Sequence, residues 1–366
     1  MNLDIRVCST GSEFHSLREP WNALMGRSER RSLFLTWEWL EACRQTVFLG
    51  ARLRIVGCFE GSDLVGAAPL VQRRAWYYGV PVTELSFLGD PLSDRQFFLD
   101  AKGDGVATAR ICEYLATNPF GVDLLRLEQL PLDSPTILIA QRYFSRVEVE
   151  QSSELPFVPM APHWSEFEKR LEPKFRSEMR TRPKVFDSIG EWNLQHVRDS
   201  GVSEMLDQIS QVELSSAKAS RGRAFFGVRE NLECIRCFLS LASGAAVVPI
   251  LSTLSISGRS VAYLLAFLYD DKYHAYNMAY LPEHRKGSPG KYVMHQAIRH
   301  AHDCGAGEFD FLRGGFFMKR EWKPSIRNNC RCVHFYSAFP GNLLRWAVFK
   351  ARPRIKARFS SPSKHR

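Results

Sequence analysis

A short loop near residue 285 combines two cations with two glycines, and these residue types at a helix start suit an anionic ligand. The loop consists of Arg285, Lys286, Gly287, Ser288 and Gly290. Ser288 is predicted to be the N-cap of a helix whose first residue is Pro289. Backbone N–H groups at a helix start point towards solvent, and the helix dipole favours negative charge there. We therefore predict that this loop binds a phosphate-like group.

The elements around the loop have a defined order. A stripe of apolar residues predicts a helix after the loop, and Gly305 is expected to end it. That stripe is Val293, Met294, Ala297, Ile298 and Ala301. Polar Glu308 and Asp310 alternate with phenylalanines, which predicts a short strand over 308–312. The sequence therefore predicts the order strand, anion loop, helix, strand.

This stretch resembles the acyl-CoA-binding core of the GNAT N-acyltransferase superfamily. The family's loop pattern is Gln/Arg-x-x-Gly-x-Gly/Ala, and Arg285, Ser288 and Gly290 stand at its fixed positions, with Ser in place of the middle Gly. The run from Ser288 through FDFLRG to Lys319 and Trp322 resembles, more narrowly, the branch of the cellulose-biosynthesis protein CelD. That branch is related to the Fem-type aminoacyltransferases.

The resemblance implies a role for several further residues. Acyl-CoA would be the co-substrate, with its phosphates on the loop and its carbonyl polarised by a backbone N–H near Tyr276 on the preceding strand. Asp310 is our candidate for the base that removes the acceptor proton, and its alternative is a structural carboxylate paired with Arg313 or Lys319. Arg313 and Lys319 would hold an acceptor carboxylate, a phosphate or the developing oxyanion. Trp322 would form a wall of the cleft.

One departure from the pattern affects these roles. The CelD branch commonly has an acidic residue after LRG, whereas this chain has Gly315 and Phe316. A role that depends on that carboxylate is therefore not expected here.

The nine cysteines are scattered and odd in number, which predicts reduced thiols rather than a disulfide framework. The pairs Cys234/Cys237 and Cys330/Cys332 match no standard zinc spacing, so no metal site is predicted. His295 and His302 are expected on a solvent-facing side of their helix, because Lys and Arg neighbour them.

The net charge of +10 is concentrated at one end of the chain. Eight cations and no acidic residue follow Pro340, so the rest of the chain is close to neutral. No apolar run reaches the roughly 20 residues of a membrane helix, and the expected location is cytoplasmic. The basic tail over 341–366 is predicted either to contact a membrane surface or to be a solubilising segment.

The order of elements repeats along the chain, which predicts two copies of one unit. Hairpins at 53–71 and 248–269 correspond, and Asp310-Phe-Leu-Arg313 is similar to Asp123-Leu-Leu-Arg126. We predict an α/β (α+β) fold of two tandem GNAT-like domains, each a mixed, mostly antiparallel sheet flanked by helices. The predicted boundaries are 1–150 for a degenerate copy, 151–162 for a linker and 163–340 for the acyl-CoA-binding copy.

The function favoured by the resemblance is transfer of an acyl group from acyl-CoA to an amine, or to a hydroxyl, of a small-molecule or saccharide acceptor, for example in exopolysaccharide biosynthesis. One alternative is a Fem-type transferase that takes an aminoacyl group from charged tRNA. The other alternative is a non-catalytic accessory module of a polysaccharide complex. A basic stripe across the body of the protein would favour tRNA, whereas the loop at 285–290 favours CoA.

Overall fold

A computed structural model of the chain describes residues 3–145, 147–315 and 319–336. The predicted basic tail over 341–366 and Phe316 lie outside these residues. No helix within them is long and apolar enough to cross a membrane.

The strands are β1 (Leu3–Cys8), β2 (Arg52–Glu60), β3 (Asp63–Tyr77), β4 (Val80–Phe87), β5 (Leu99–Asp100), β6 (Leu124–Pro131), β7 (Val147–Pro159), β8 (Trp192–Arg198), β9 (Val248–Ile256), β10 (Arg259–Tyr269), β11 (Lys272–Tyr280), β12 (Glu308–Asp310) and β13 (Ser325–Phe335). The α-helices are α1 (Gly11–Ser16), α2 (Arg18–Arg27), α3 (Trp37–Gln45), α4 (Val106–Thr117), α5 (Pro135–Tyr143), α6 (Trp164–Arg170), α7 (Pro173–Asp187), α8 (Ser200–Glu204), α9 (Leu206–Leu214), α10 (Arg229–Ala242) and α11 (Pro289–Asp303). Short 3-10 helices cover Leu33–Leu35, Ala219–Arg221, Phe225–Gly227, Pro282–Gly287 and Arg320–Trp322.

The chain divides into two compact units that alternate along the sequence. Of the described residues, the first unit contains those within 3–31, 50–152 and 329–336, and the second contains those within 32–49 and 153–328. In each unit the strands form a mixed, mostly antiparallel arrangement with flanking helices, as predicted.

The sheet of the first unit has the strand order β1-β2-β3-β4-β6-β13. Its strands pair antiparallel except for β4 and β6, which run parallel from Glu84–Leu124 to Ser86–Arg126. Helix α4 packs against β1, β2 and β3. The long β2–β3 hairpin is the one predicted at 53–71, because apolar runs on both sides of a Gly-containing turn favour a hairpin.

The sheet of the second unit has the order β7-β12-β11-β10-β9-β8. Here β11 and β12 are the parallel pair, and the other neighbouring strands pair antiparallel. Helix α11 packs against β9, β10 and β11 through the predicted apolar stripe, which is buried. Gly305 follows the helix end with φ +73°, the left-handed conformation that a glycine adopts at little cost.

The repeat is therefore structural: hairpin, parallel strand, helix and second parallel strand occur once in each unit. The two similar four-residue stretches, 123–126 and 310–313, do not occupy equivalent positions in the two units. Asp123 precedes β6, whereas Asp310 is the last residue of β12. The order of elements, rather than those four residues, carries the repeat.

Two details of the predicted domain organisation need correction. The linker predicted over 151–162 is mostly strand, because β7 continues to Pro159 and pairs with β12. Helix α3, which falls within the predicted 1–150 domain, belongs to the second unit. Its Trp39 ring packs against Phe238 and Tyr276, with ring centroids 4.9 and 5.5 Å apart, so aromatic burial places it there.

Candidate functional site

The predicted anion loop forms the connection between β11 and α11 in the second unit. Residues 282–287 make a 3-10 helix, and Pro289 is the first residue of α11, as predicted. Arg285 and Lys286 are exposed. The first turn of an α-helix leaves backbone N–H groups without intrahelical acceptors, so Gly290 and Lys291 supply donors beside these cations.

Ser288 does not act as predicted. It occupies the N-cap position, but its side chain makes no capping hydrogen bond, and its backbone is left-handed with φ 51° and ψ 47°. The N–H of Ser288 donates to Arg285 O at 3.0 Å. Ser288 therefore shapes the turn through its backbone rather than through its hydroxyl.

The two loop glycines allow the loop to pack closely against neighbouring elements. A Cβ atom at Gly287 would lie 2.9 Å from Phe186 Cε1, and one at Gly290 would lie 2.9 Å from Tyr280 Cδ1. Carbon atoms cannot approach this closely without displacing their neighbours. Both glycines are thus needed for the backbone to lie against α7 and β11.

Helix α7 supports the loop from the side. Arg182 Nη1 donates to the carbonyl of Lys286 at 3.2 Å, and its Nη2 binds the carboxylate of Glu178. Lys291, in the first turn of α11, pairs with Glu321 at 2.8 Å. The basic helix α7 therefore contacts the loop through Arg182 and Phe186.

The strands next to the loop separate from each other. β11 and β12 pair only from Lys272–Glu308 to His274–Asp310, after which β11 continues beside β10 while Phe311 N donates to Pro156 O. We call the separation beyond His274–Asp310 the fork. Such openings at the carboxyl ends of parallel strands are common ligand sites in α/β proteins.

A β-bulge lies at the fork. Leu265 pairs with Asn277 and Ala266 pairs with Ala275, so Tyr276 is the extra residue of β11. The extra residue of a bulge is left out of the regular ladder. The predicted position of a polarising backbone N–H near Tyr276 thus coincides with the bulge.

Asp310 ends β12 and is fully buried. Its Oδ1 accepts the backbone N–H of Leu312 at 2.8 Å, and its Oδ2 lies 3.9 Å from His274 Nδ1 and from Arg327 Nη2. Leu312 has φ 53°, so this hydrogen bond holds a strained turn. His274 and Arg327, which the structural alternative does not name, are thus two charged neighbours of this carboxylate.

Lys319 holds the loop that follows β12. Its Nζ donates to the carbonyl oxygens of Phe311, Leu312 and Arg313 at 2.9, 2.9 and 3.1 Å. An ammonium group has three donors, and these carbonyls match that number. The Arg313 carbonyl is one of the three, so the two residues predicted to bind an acceptor are joined in a structural turn.

The two predicted cleft residues differ in burial. Trp322 is 3% exposed and packs edge-on against Phe175, which makes it part of the core under α7. Tyr276 is partly exposed and contacts Phe34, Trp39 and Phe225. Only Tyr276 can line a cleft at the fork.

The sequence reasoning missed a polar network beside the bulge. Glu213 at the end of α9 is fully buried, and its carboxylate accepts from Asn277 Nδ2 at 3.2 Å and from Phe226 N at 2.9 Å. Lys218 Nζ donates to Glu213 at 3.3 Å and to Asn277 Oδ1 at 3.0 Å. Asn277 also donates to the hydroxyl of Tyr263, whose pKa burial raises well above its ordinary value. Asn277 lies 64 residues from Glu213, so no local pattern could reveal the network.

Comparison with known proteins finds similarity to one family model and to several solved structures. Residues 173–323 match the family model described as an acetyltransferase (GNAT) domain, and this range contains the loop, the fork and the network. The sequence matches no curated protein.

Among solved structures, FemX covers 95% of this chain over 100% of its own length, with a TM-score of 0.65 and 10% identity. The C-terminal domain of a lysylphosphatidylglycerol synthetase from Agrobacterium fabrum covers 90% of this chain over 95% of its own, with a TM-score of 0.58 and 10% identity. The L-PGS structure from Bacillus licheniformis covers 90% of this chain over 95% of its own, with a TM-score of 0.54 and 12% identity. At these identities the similarity shows a shared fold.

Proposed function

We propose that this protein transfers an acyl group from acyl-CoA to an amine, or to a hydroxyl, of a small-molecule or saccharide acceptor, and that the second unit binds the thioester. The observation that carries the proposal is the coincidence of three features in one GNAT domain match: a cationic loop at a helix start, a strand fork and a bulge at the fork. Placement in the CelD branch, with a role in polysaccharide biosynthesis, belongs to the same proposal.

The loop would bind the phosphates of CoA. Arg285 and Lys286 supply positive charge at the protein surface, and the first N–H groups of α11 supply hydrogen-bond donors. Because Arg182 and Phe186 hold the loop against α7, the donors are positioned before the ligand arrives.

The fork would hold the thioester end of the same molecule. The backbone N–H at Tyr276 is our candidate donor to the thioester carbonyl, because the bulge at Tyr276 lies at the fork and interrupts the regular register there. A fixed donor aimed at the position where negative charge develops lowers the barrier to attack by the acceptor. Asp310 stays our sequence-based candidate for the residue that removes the acceptor proton.

The second candidate function is aminoacyl transfer of the Fem type. It is favoured by the similarity to FemX and to the lysylphosphatidylglycerol synthetase domain over at least 90% of this chain. The donor would then be an aminoacyl-tRNA, and cations beyond the loop would have to contact the tRNA backbone.

Calorimetric titration with acetyl-CoA and with a longer acyl-CoA tests the proposal. We expect both to bind to the wild type, and the Arg285→Ala/Lys286→Ala variant to bind about tenfold or more weakly, since each charge-assisted contact contributes ~1.5–3 kcal/mol. The Lys169→Ala/Arg170→Ala variant removes the same two charges from exposed positions on α6 and should bind like the wild type. If neither thioester binds but an aminoacyl-tRNA does, the second candidate replaces the first.

A further inference from the structure

The polar network beside the fork connects a buried carboxylate to an exposed ammonium group. Glu213 is fully buried, while the side chain of Lys218 keeps 41% of its area exposed. Asn277, which binds both, directly follows the bulged Tyr276 on β11. The network therefore fixes the Lys218 ammonium beside the position proposed for the thioester carbonyl.

A buried carboxylate is costly unless hydrogen bonds and a positive charge compensate it. Glu213 has both, from Phe226 N, Asn277 and Lys218. A solubilising surface lysine needs no such anchor, because it is most stable when it moves freely in water. The anchoring of Lys218 thus indicates that its position matters.

Lys218 has donor capacity beyond the network. Its ammonium group has three N–H donors, and two of them serve Glu213 and Asn277. Arg221 and Arg223 follow in the same segment, and both are exposed. Neither has an ion pair within the part of the chain that the structure describes. Only one of these three cations is compensated, by Glu213, so an incoming anion meets a net positive charge.

We propose that Lys218 binds a carboxylate or phosphate of the acceptor, so that the acceptor is an amine or alcohol that also carries an anionic group. This inference rests on the proposed acyl transfer and names the chemical class of its acceptor. Lys218 takes the role first assigned to Arg313 and Lys319, because Lys319 binds three backbone carbonyls instead.

Matched acceptor pairs test the assignment with the full chain and acetyl-CoA, by release of the CoA thiol. Glycine is compared with glycinamide, and 2-aminoethyl phosphate with ethanolamine, so each pair differs in the anionic group. The wild type should prefer one of the anionic members by about tenfold or more in kcat/KM, as expected for one charge-assisted hydrogen bond. The pair that shows the preference tells whether the group is a carboxylate or a phosphate.

Three variants test whether that preference depends on Lys218. Lys218→Met should abolish the preference, measured as the ratio of kcat/KM between the two members of a pair so that a change common to both members cancels, and Lys218→Arg should keep part of it. Lys169→Met, which removes an exposed lysine on α6, should behave like the wild type. A preference that survives in Lys218→Met, or a wild type that favours the neutral members, would overturn the proposal.

A second measurement decides the case in which none of these acceptors reacts. The ammonium ¹⁵N signal of Lys218, assigned through Lys218→Arg, is followed as acetate or methyl phosphate is added to protein saturated with CoA. A saturable shift supports the proposal, and no shift with either anion contradicts it. Failure of CoA itself to bind would instead count against the proposed function, and the lysine signal in CoA-free protein would still report anion binding.

Discussion

At the scale of single residues, Arg182 links the basic helix to the anion loop through one hydrogen bond to the Lys286 carbonyl. We expect Arg182→Met to weaken acetyl-CoA binding by roughly 3- to 10-fold, because the loop loses the contact that fixes its backbone. Calorimetry measures this directly. Arg180→Met is the matched control, since Arg180 lies on the same helix with its side chain 68% exposed; equal losses in the two variants would show that only charge matters.

Asp310 gives a prediction that separates its two interpretations. Asp310→Asn removes the charge opposite His274 and Arg327, while the amide oxygen can still accept from Leu312. If the carboxylate is structural, the free energy of unfolding should fall by about 1–3 kcal/mol, whereas Asp303→Asn at an exposed position should change little. Urea denaturation measures both. Unchanged stability together with lost turnover would restore Asp310 as the base.

The loop glycines belong to the scale of elements, because they determine how closely the loop packs on its neighbours. Gly290→Ala should lower the free energy of unfolding by ~1–3 kcal/mol, since its methyl group would collide with the Tyr280 ring. Gly26→Ala in α2 meets no atom within 4 Å and should be neutral or stabilising. Thermal unfolding compares them. A fully stable Gly290→Ala variant would show that the close contact is absent.

The contact between α11 and β8 should make the stability of the fold depend on pH. The rings of His196 and His300 stack with centroids 4.3 Å apart, and His196 Nδ1 lies 2.7 Å from Ser252 Oγ. Burial, followed by repulsion from His300, lowers the pKa of His196 to about 4 from an ordinary 6.5. Burial, followed by Arg198, also lowers the pKa of His300, while Asp303 opposes both shifts.

A lowered histidine pKa means that the unfolded chain takes up protons first as the pH falls. The stabilisation by this pair is therefore present above about pH 6.5 and is lost as the pH falls towards 4. His196→Gln should flatten the decrease in the urea midpoint between pH 7 and pH 5, whereas His15→Gln at an exposed position should not. Identical pH profiles for the wild type and His196→Gln would contradict this assignment.

His295 shows where sequence patterns misled at this scale. It was expected to face solvent, but it is buried between Trp164 and Phe175, and burial lowers its pKa to about 4. Flanking Lys and Arg indicated an exposed face, whereas two aromatic residues from α6 and α7 cover it. Those helices lie more than a hundred residues earlier in the chain, so local periodicity carries no signal for them.

At the scale of the whole molecule, elements set by local patterns could be predicted. Helix α11, the loop before it and the two hairpins follow from apolar periodicity and from Gly and Pro at the turns. The fork, the bulge at Tyr276 and the Glu213 network depend on register and on contacts between distant segments, which no single stretch encodes. The same reason explains why α3 was placed in the wrong unit.

The two units also differ in the residues at their parallel strand pairs. In the first unit, the parallel pair β4–β6 carries buried Glu84, which binds Arg73 and Arg126 at 2.9 and 2.6 Å. Cis Asp90–Pro91 follows β4, where the second unit has its cationic loop. Arg73 and Arg126 also approach the Asp90 carboxylate. The first unit thus places an ion-paired cluster beside the segment that corresponds to the cationic loop, so only the second unit is expected to bind acyl-CoA.

Hydrogen exchange of the full chain, with and without saturating acetyl-CoA, tests this central claim most directly. We expect slower exchange over residues 276–291, which contain the bulge, the loop and the start of α11, and no change over 84–106 in the first unit. Slower exchange at 84–106 alone, or binding without protection at 276–291, would contradict the proposed site.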